Sequence, residues 1–305
     1  ELQAALIMGD AANPAEGEFL SWSASSKGRE GWFKRLESGR SALLLGDRNL
    51  ILGQCSLERR HRILVAAAND GLLLWEALRA VPEGLAAALV DNDASREALL
   101  GYAAMLDEPE RPLVAVQDKG RLLPSPGEAD AWFACHSFDH ILAREPWRRG
   151  GSAAAFSAFA EAARLLLVGR GDVVLLPSPP TQGERISRIL GAEGNPSIAA
   201  LADAEEAFFQ DSGRWTWDAE TLERSFAAAG FTVSLVPLEQ SEERLLTERD
   251  MALWFDPARS SWGKFIHKQV GADTFQALSD MLREKAAQGP VLWKWQSLLL
   301  RGVVT

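Results

Sequence analysis

Several features that would announce a function are missing from this sequence. It has no Gly-x-x-x-x-Gly-Lys-Ser/Thr loop, so the chain does not itself carry a P-loop ATPase. Its two cysteines, Cys55 and Cys135, are too few for a disulfide framework and suit a reducing cytoplasm. Tyrosine occurs once, at Tyr102, against 11 Trp and 13 Phe, a skew that reads as bulky packing for a large core. The apolar runs, such as 63–68 and 165–168, fall far short of the roughly 20 residues that span a bilayer, which argues against a membrane protein. No basic segment followed by an apolar core opens the chain, so no signal peptide is expected. The first residue is Glu1 rather than Met, as expected of a piece of a longer chain. Positive charge is also scarce: 32 Lys and Arg face 42 Asp and Glu, a net charge of −10. Nucleic-acid affinity rests on cations that neutralise phosphate, so such binding is not evident outside small patches at 59–62 and 144–149.

What is present is a long alternation of strand and helix signals. The 305 residues allow two domains of about 150 residues, or one large α/β domain with an extension. Residues 1–60 read as a loosely helical N-terminal extension. From there, apolar runs at 63–67, 85–90, 113–116, 132–134, 173–176 and 231–236 read as strands, the early ones buried on both faces. Helices are expected at 72–80, 94–106, 152–168, 184–190, 197–209 and from Asp218 to Gly230, with Gly169 and Gly171 ending the third of these. This alternation argues for a parallel sheet covered on both sides. Consecutive helices then interrupt it, and 293–303 reads as a last strand. The division is therefore an extension at 1–60 and an α/β domain at 61–305, with a helical insertion at 248–289.

Sheets of this kind bind ligands beyond the carboxyl ends of their strands. The first such turn runs Val65-Ala66-Ala67-Ala68-Asn69-Asp70-Gly71-Leu72, where only Gly71 supplies glycine's freedom; it is either a ligand loop or a plain tight turn. Asp91 lies 20 positions after Gly71, where an acid would accept from ribose hydroxyls, or else it caps the next helix together with Asp93. Asp118, after the third strand, is placed to accept from an adenine amino group or simply to face solvent. Cys135-His136-Ser137-Phe138-Asp139-His140 is the densest cluster of reactive side chains. On a helix, His136 and His140 would share a face and could share a metal. No metal site is assigned, however, and the cluster reads as a substrate-side or plain loop.

The order of these elements resembles that of class I S-adenosylmethionine (SAM)-dependent methyltransferases. A more particular resemblance rests on 67–78, ending Gly71-Leu72-Leu73-Leu74-Trp75-Glu76-Ala77-Leu78, followed by Val81-Pro82-Glu83-Gly84. It continues through Glu108-Pro109-Glu110-Arg111-Pro112, Arg144-Glu145-Pro146, Glu205-Glu206-Ala207 leading to Trp217-Asp218, Trp254-Phe255 and Trp295-Gln296-Ser297. These short matches span about residues 60–300. They are similar to a methyltransferase-like domain fused behind AAA+ ATPases of the replication-associated recombination (RarA/MgsA) type.

The resemblance implies a Rossmann-like seven-stranded methyltransferase sheet, mostly parallel with its last strand antiparallel, flanked by helices. It also implies SAM as cofactor, lined by Ala67, Asn69, Gly71, Asp91 and Asp118. His136 or Asp139 would lie near the methyl acceptor, with His136 able to act as a base. In that family the first turn looks like Asp-Leu-Asn-Ala-Gly-Ser-Gly. Val65 stands here in place of the strand-end acid, Asn69 in place of the first glycine and Asp70 in place of the serine, and Gly71 matches. Asn69 is expected to add bulk. Asp70 is expected to repel the ligand's carboxylate by about 4 kcal/mol at about 4 Å in an effective dielectric of about 20. Two functions follow: a SAM-dependent methyltransferase with a degenerate glycine loop, or an inactive methyltransferase-fold interaction module of a DNA replication or recombination AAA+ ATPase on the same full-length chain.

Overall fold

The computed structural model describes residues 40–117, 121–124, 138–148, 150–191, 194–211 and 217–305. The chain enters through helix α1 (Arg40–Leu52) and then alternates β1 (Arg62–Ala66), α2 (Leu72–Ala80), β2 (Leu85–Val90), α3 (Asp93–Ala103) and β3 (Leu113–Val116). The second half holds β4 (Phe138–Arg144), α4 (Ala153–Leu166), β5 (Leu167–Leu176), α5 (Ile186–Leu190), α6 (Pro196–Asp211), α7 (Ala219–Ala228) and β6 (Phe231–Arg244). Helices α8 (Glu248–Trp254), α9 (Ser261–Val270) and α10 (Ala272–Ala287) then lead to β7 (Val291–Val304).

The strands form one sheet in the order β3-β2-β1-β4-β5-β7-β6. The pairs β1–β2, β2–β3, β1–β4 and β4–β5 are parallel, whereas β7 runs antiparallel to both β5 and β6. This is the seven-stranded, mostly parallel sheet expected from the sequence. Residues along β1 alternate between two cores, as a strand's period of two requires. Ile63 and Val65 join Ile51, Leu73, Leu74, Ala77 and Leu99 under α1, α2 and α3. Leu64 and Ala66 join Phe156, Phe159, Leu222 and Phe226 under α4 and α7.

Several element limits differ from the sequence expectations. The helix expected at 152–168 stops at Leu166 and β5 begins at the next residue, so Gly169 and Gly171 lie inside a strand. At Gly171 a Cβ would stand 2.9 Å from the Asp139 carbonyl oxygen, so glycine is needed there for the close approach of β4 rather than for a helix stop. The described fourth strand runs Phe138–Arg144; the stretch expected at 132–134 lies outside the described residues. Finally, β6 and β7 are each 14 residues long, well beyond 231–236 and 293–303.

That length matters for position. β5 pairs with β7 only from Asp172↔Val303 to Leu175↔Leu300, so residues 291–298 of β7, with their partners in β6, project past the carboxyl end of β5. A third core forms on this projection. It joins Trp293 to Trp254, Trp262, Phe275 and Leu278 of α8–α10, and to Ile186, Leu201 and Phe209 of α5 and α6. The 248–289 helices thus share one core with the α5–α6 segment. No helix among the described residues is long and apolar enough to cross a membrane.

Candidate ligand-binding edge

The carboxyl ends of β1, β2, β3, β4 and β5 carry a connected set of polar side chains. After β1 the chain turns through Ala67 at φ 52°, and Gly71 at φ 71° precedes α2. The other non-glycine residue with positive φ among those described is Glu145 at φ 49°, at the end of β4 on the same edge. A non-glycine residue in the left-handed region costs about 1–2 kcal/mol. Such strain collects at functional sites.

The β1 turn is tied to its neighbours by its own side chains. The Asp91 N–H donates to Asn69 Oδ1 at 2.8 Å, and the Leu72 N–H donates to Asp70 Oδ1 at 3.0 Å. Asn69 therefore spends its amide oxygen joining the turn to β2. Asp91 does not cap α3: that role belongs to Asn92, whose side chain accepts from the Ser95 N–H at 2.9 Å. The Asp91 carboxylate instead accepts from Gln117 Nε2 at 2.5 Å, and the Gln117 N–H donates to the Val90 carbonyl at 2.8 Å. Gln117 Oε1 is buried and has no hydrogen-bond partner among the described residues. A buried acceptor left unpaired costs about 1–3 kcal/mol, and this one lies beside the acid predicted to hold ribose.

Arg144, the last residue of β4, places Nη2 2.5 Å from Asp70 Oδ2 and Nη1 3.8 Å from Asp47 Oδ2 of α1. Gln240 Nε2 of β6 donates to Asp47 Oδ1 at 3.1 Å. Burial works against the charge on Arg144, but the two carboxylates outweigh it and hold the guanidinium above its ordinary value. Burial raises Asp47, with Arg144 opposing. This geometry corrects the repulsion expected at Asp70, whose charge is met by a guanidinium within the protein. Glu145 accepts from the Ser178 hydroxyl and from the Ser178 N–H at 3.2 Å, and Ser178 Oγ lies 2.9 Å from Ser297 Oγ of β7. Burial pushes the Glu145 carboxyl up, opposed by Ser178 and Arg144.

Of the residues singled out in the sequence, Ala67, Asn69, Gly71 and Asp91 come together at this edge. Asp118, Cys135 and His136 lie outside the described residues. Asp139 is a correction: it sits near the amino end of β4, where it accepts from the Arg62 N–H at 2.7 Å. That is the opposite edge of the sheet, so the expected place beside a methyl acceptor does not hold for it. The cluster expected as a loop is strand from Phe138 on, which places Asp139 and His140 in β4. The sequence reading missed Gln117, Arg144, Asp47, Glu145 and Ser178. A polar residue at or just beyond the end of an apolar strand was the available signal for Gln117, Arg144 and Ser178.

No protein-family model matches the chain, and no curated protein matches it. Solved structures do. The YcgJ protein of Bacillus subtilis is 13% identical, with 85% of this chain and 98% of that one covered and a TM-score of 0.49. The cyclopropane synthase MmaA2 of Mycobacterium tuberculosis is 15% identical, covering 97% and 93% at a TM-score of 0.46. The magnesium protoporphyrin IX methyltransferase of Synechocystis PCC 6803, solved with bound S-adenosylhomocysteine, is 10% identical, covering 92% and 95% at a TM-score of 0.47. By its own strand order and its antiparallel β7, the chain has the Rossmann-like, seven-stranded fold of class I methyltransferases.

Proposed function

We propose that this chain binds SAM at the carboxyl edge of its sheet and acts as a methyltransferase. The observation that carries the reading is the Asp91–Gln117 pair, with Gln117 Oε1 buried beside a carboxylate and without a partner among the described residues. An adenosyl group brings hydroxyl and amino donors, the complement of these two acceptors. Asp91 is the ribose acceptor, Gln117 and Asp118 the partners of the base. Ala67, Asn69 and Gly71 shape the turn beside them. SAM supplies an electrophilic methyl group on a sulfonium. The protein's task is to bind and orient the two reactants and to exclude water. His136 is the candidate for removing the acceptor's proton.

The test is calorimetric titration with SAM and S-adenosylhomocysteine. Binding that weakens about 10–100-fold in Asp91→Ala, as expected for loss of hydrogen bonds to a charged group, supports the reading. No heat at millimolar ligand rejects it.

A second reading is that the fold serves as an inactive interaction module of an AAA+ ATPase on the same full-length chain. The observation in its favour is that Asp70 of the β1 turn and Asp47 already share Arg144 as a counter-charge within the protein. Co-purification with such an ATPase, together with silent calorimetry, is the outcome expected of it.

A further inference from the structure

The amino edge of the sheet, opposite the site above, holds a second group of reactive side chains. Cys55 lies in the segment between α1 and β1, His140 in β4 and Asp172 in β5. The Cys55 sulfur, a ring nitrogen of His140 and a carboxylate oxygen of Asp172 all lie within 4.8 Å of one another. His140 is 6% and Asp172 3% exposed, and Cys55 is half-buried, which leaves an approach from its side.

The hydrogen bonding around His140 is unusual. Its Nδ1 lies 2.5 Å from Asp172 Oδ1, and its Nε2 lies 2.9 Å from His61 Nδ1. His61 Nδ1 accepts from the Glu58 N–H at 3.1 Å and so carries no proton of its own, which makes His140 Nε2 the side of that contact able to hold one. The ring is then asked to donate from Nδ1 to the carboxylate as well. A cation at Nδ1 removes that second demand and leaves Nε2–H donating to His61. Metal-bound histidines ordinarily have this arrangement, with the ring's other N–H held by a partner.

We propose that Cys55, His140 and Asp172 bind a divalent metal ion of the zinc class at the amino edge of the sheet. Thiolate, imidazole and carboxylate are a zinc-type donor set, and three protein ligands leave a fourth position for water. Around a tetrahedral ion with bonds of about 2.0–2.3 Å, donors stand roughly 3.5 Å apart, so shifts of about an ångström seat the ion here. Arg301 holds the other oxygen, Asp172 Oδ2, at 2.9 Å and leaves Oδ1 for the metal. Binding releases the thiol proton of Cys55 and the proton between His140 and Asp172 to solvent. The ion would clip the α1–β1 segment to two central strands.

The test is titration of chelator-treated protein with Co(II), read by thiolate-to-cobalt charge-transfer absorption, followed by zinc content and thermal midpoint. The expected result is a saturable band that is lost in Cys55→Ser, retained in Cys135→Ser and weakened at least tenfold in Asp172→Asn, with zinc raising the midpoint of the unaltered chain. Absence of the band, or a band that survives Cys55→Ser and vanishes in Cys135→Ser, overturns the proposal. Should Asp172→Asn fail to fold for want of its Arg301 partner, the two cysteine variants still decide. SAM binding at the other edge is read separately by calorimetry, so failure of either proposal is distinguishable from failure of the other.

Discussion

Arg144 is a half-buried cation placed between two acids, and its removal is the sharpest single-residue test of the carboxyl edge. Arg144→Met leaves Asp70 and Asp47 without their shared counter-charge. Breaking a buried pair from one side costs about 3–5 kcal/mol, measurable as a lower urea midpoint. Adding Asp70→Asn to that variant should recover part of the loss. The acids also set a pH dependence. Glu145 has its carboxyl raised by burial, so the folded chain holds its proton to higher pH than the unfolded chain does. Stability then falls as pH rises from the ordinary carboxyl value through the raised one, and stays reduced above it. Glu145→Gln removes that slope, so its thermal midpoint plotted against pH should be flatter across that window than the unaltered chain's. The place of Asp91 at the carboxyl end of β2 could be read in the sequence because its spacing from Gly71 is local to one βαβ unit. The Arg144–Asp70 contact spans 74 residues and the Gln240–Asp47 contact 193, and no local pattern encodes either.

Helix starts were the most legible elements, because their signals are local. Asp218 caps α7, its side chain accepting from the Thr221 N–H at 2.8 Å, and hydrogen bonding from Thr221 holds its carboxyl below the ordinary value. Asp218→Ala should cost about 1 kcal/mol at neutral pH. A depressed acid contributes above its unfolded value and ceases to as pH falls through its folded one, so the difference between the two chains should vanish in acid. The start of α2 gives a second test. Gly71 is left-handed, and a Cβ there would stand 2.6 Å from Trp75 Nε1 and 2.9 Å from Leu99 Cδ2. Gly71→Ala should therefore cost about 2 kcal/mol or more in chemical denaturation. Strand limits were harder to read. Gly169 and Gly171 resemble a helix stop, and the far half of β6, with Glu239, Gln240, Ser241 and Glu242, resembles a loop. The far half of β6 is strand because β7 pairs with it, and the two glycines lie where the β4–β5 register shifts between Phe138↔Leu167 and His140↔Asp172, neither of which local propensity reveals.

The whole molecule holds a sheet with a core on each face and a third core on the projecting β6–β7 pair. The sequence revealed the alternation that makes the sheet, because strands buried on both faces are continuous apolar runs. It did not reveal that the α5–α6 segment and the 248–289 helices share a core, since that core is made by packing between distant stretches, Phe208 against Phe265 at 5.5 Å between ring centroids and Trp293 of β7 beside them. That residue is 2% exposed, with its ring centroid 6.2 Å from that of Trp254. Trp293→Ala should cost about 3–5 kcal/mol. Hydrogen exchange should accelerate in α8–α10 more than in β1 and β4. The place of β7 in the sheet also bears on how the chain is made. It is inserted between β5 and β6 although it follows both in sequence. On a ribosome adding roughly 5–20 residues per second, the flank of β5 and the whole of β6 wait seconds for the strand that joins them. For that interval the nascent chain offers two open strand edges to its surroundings, so a chaperone that shields unpaired strands should raise the yield of folded protein more than one acting after release.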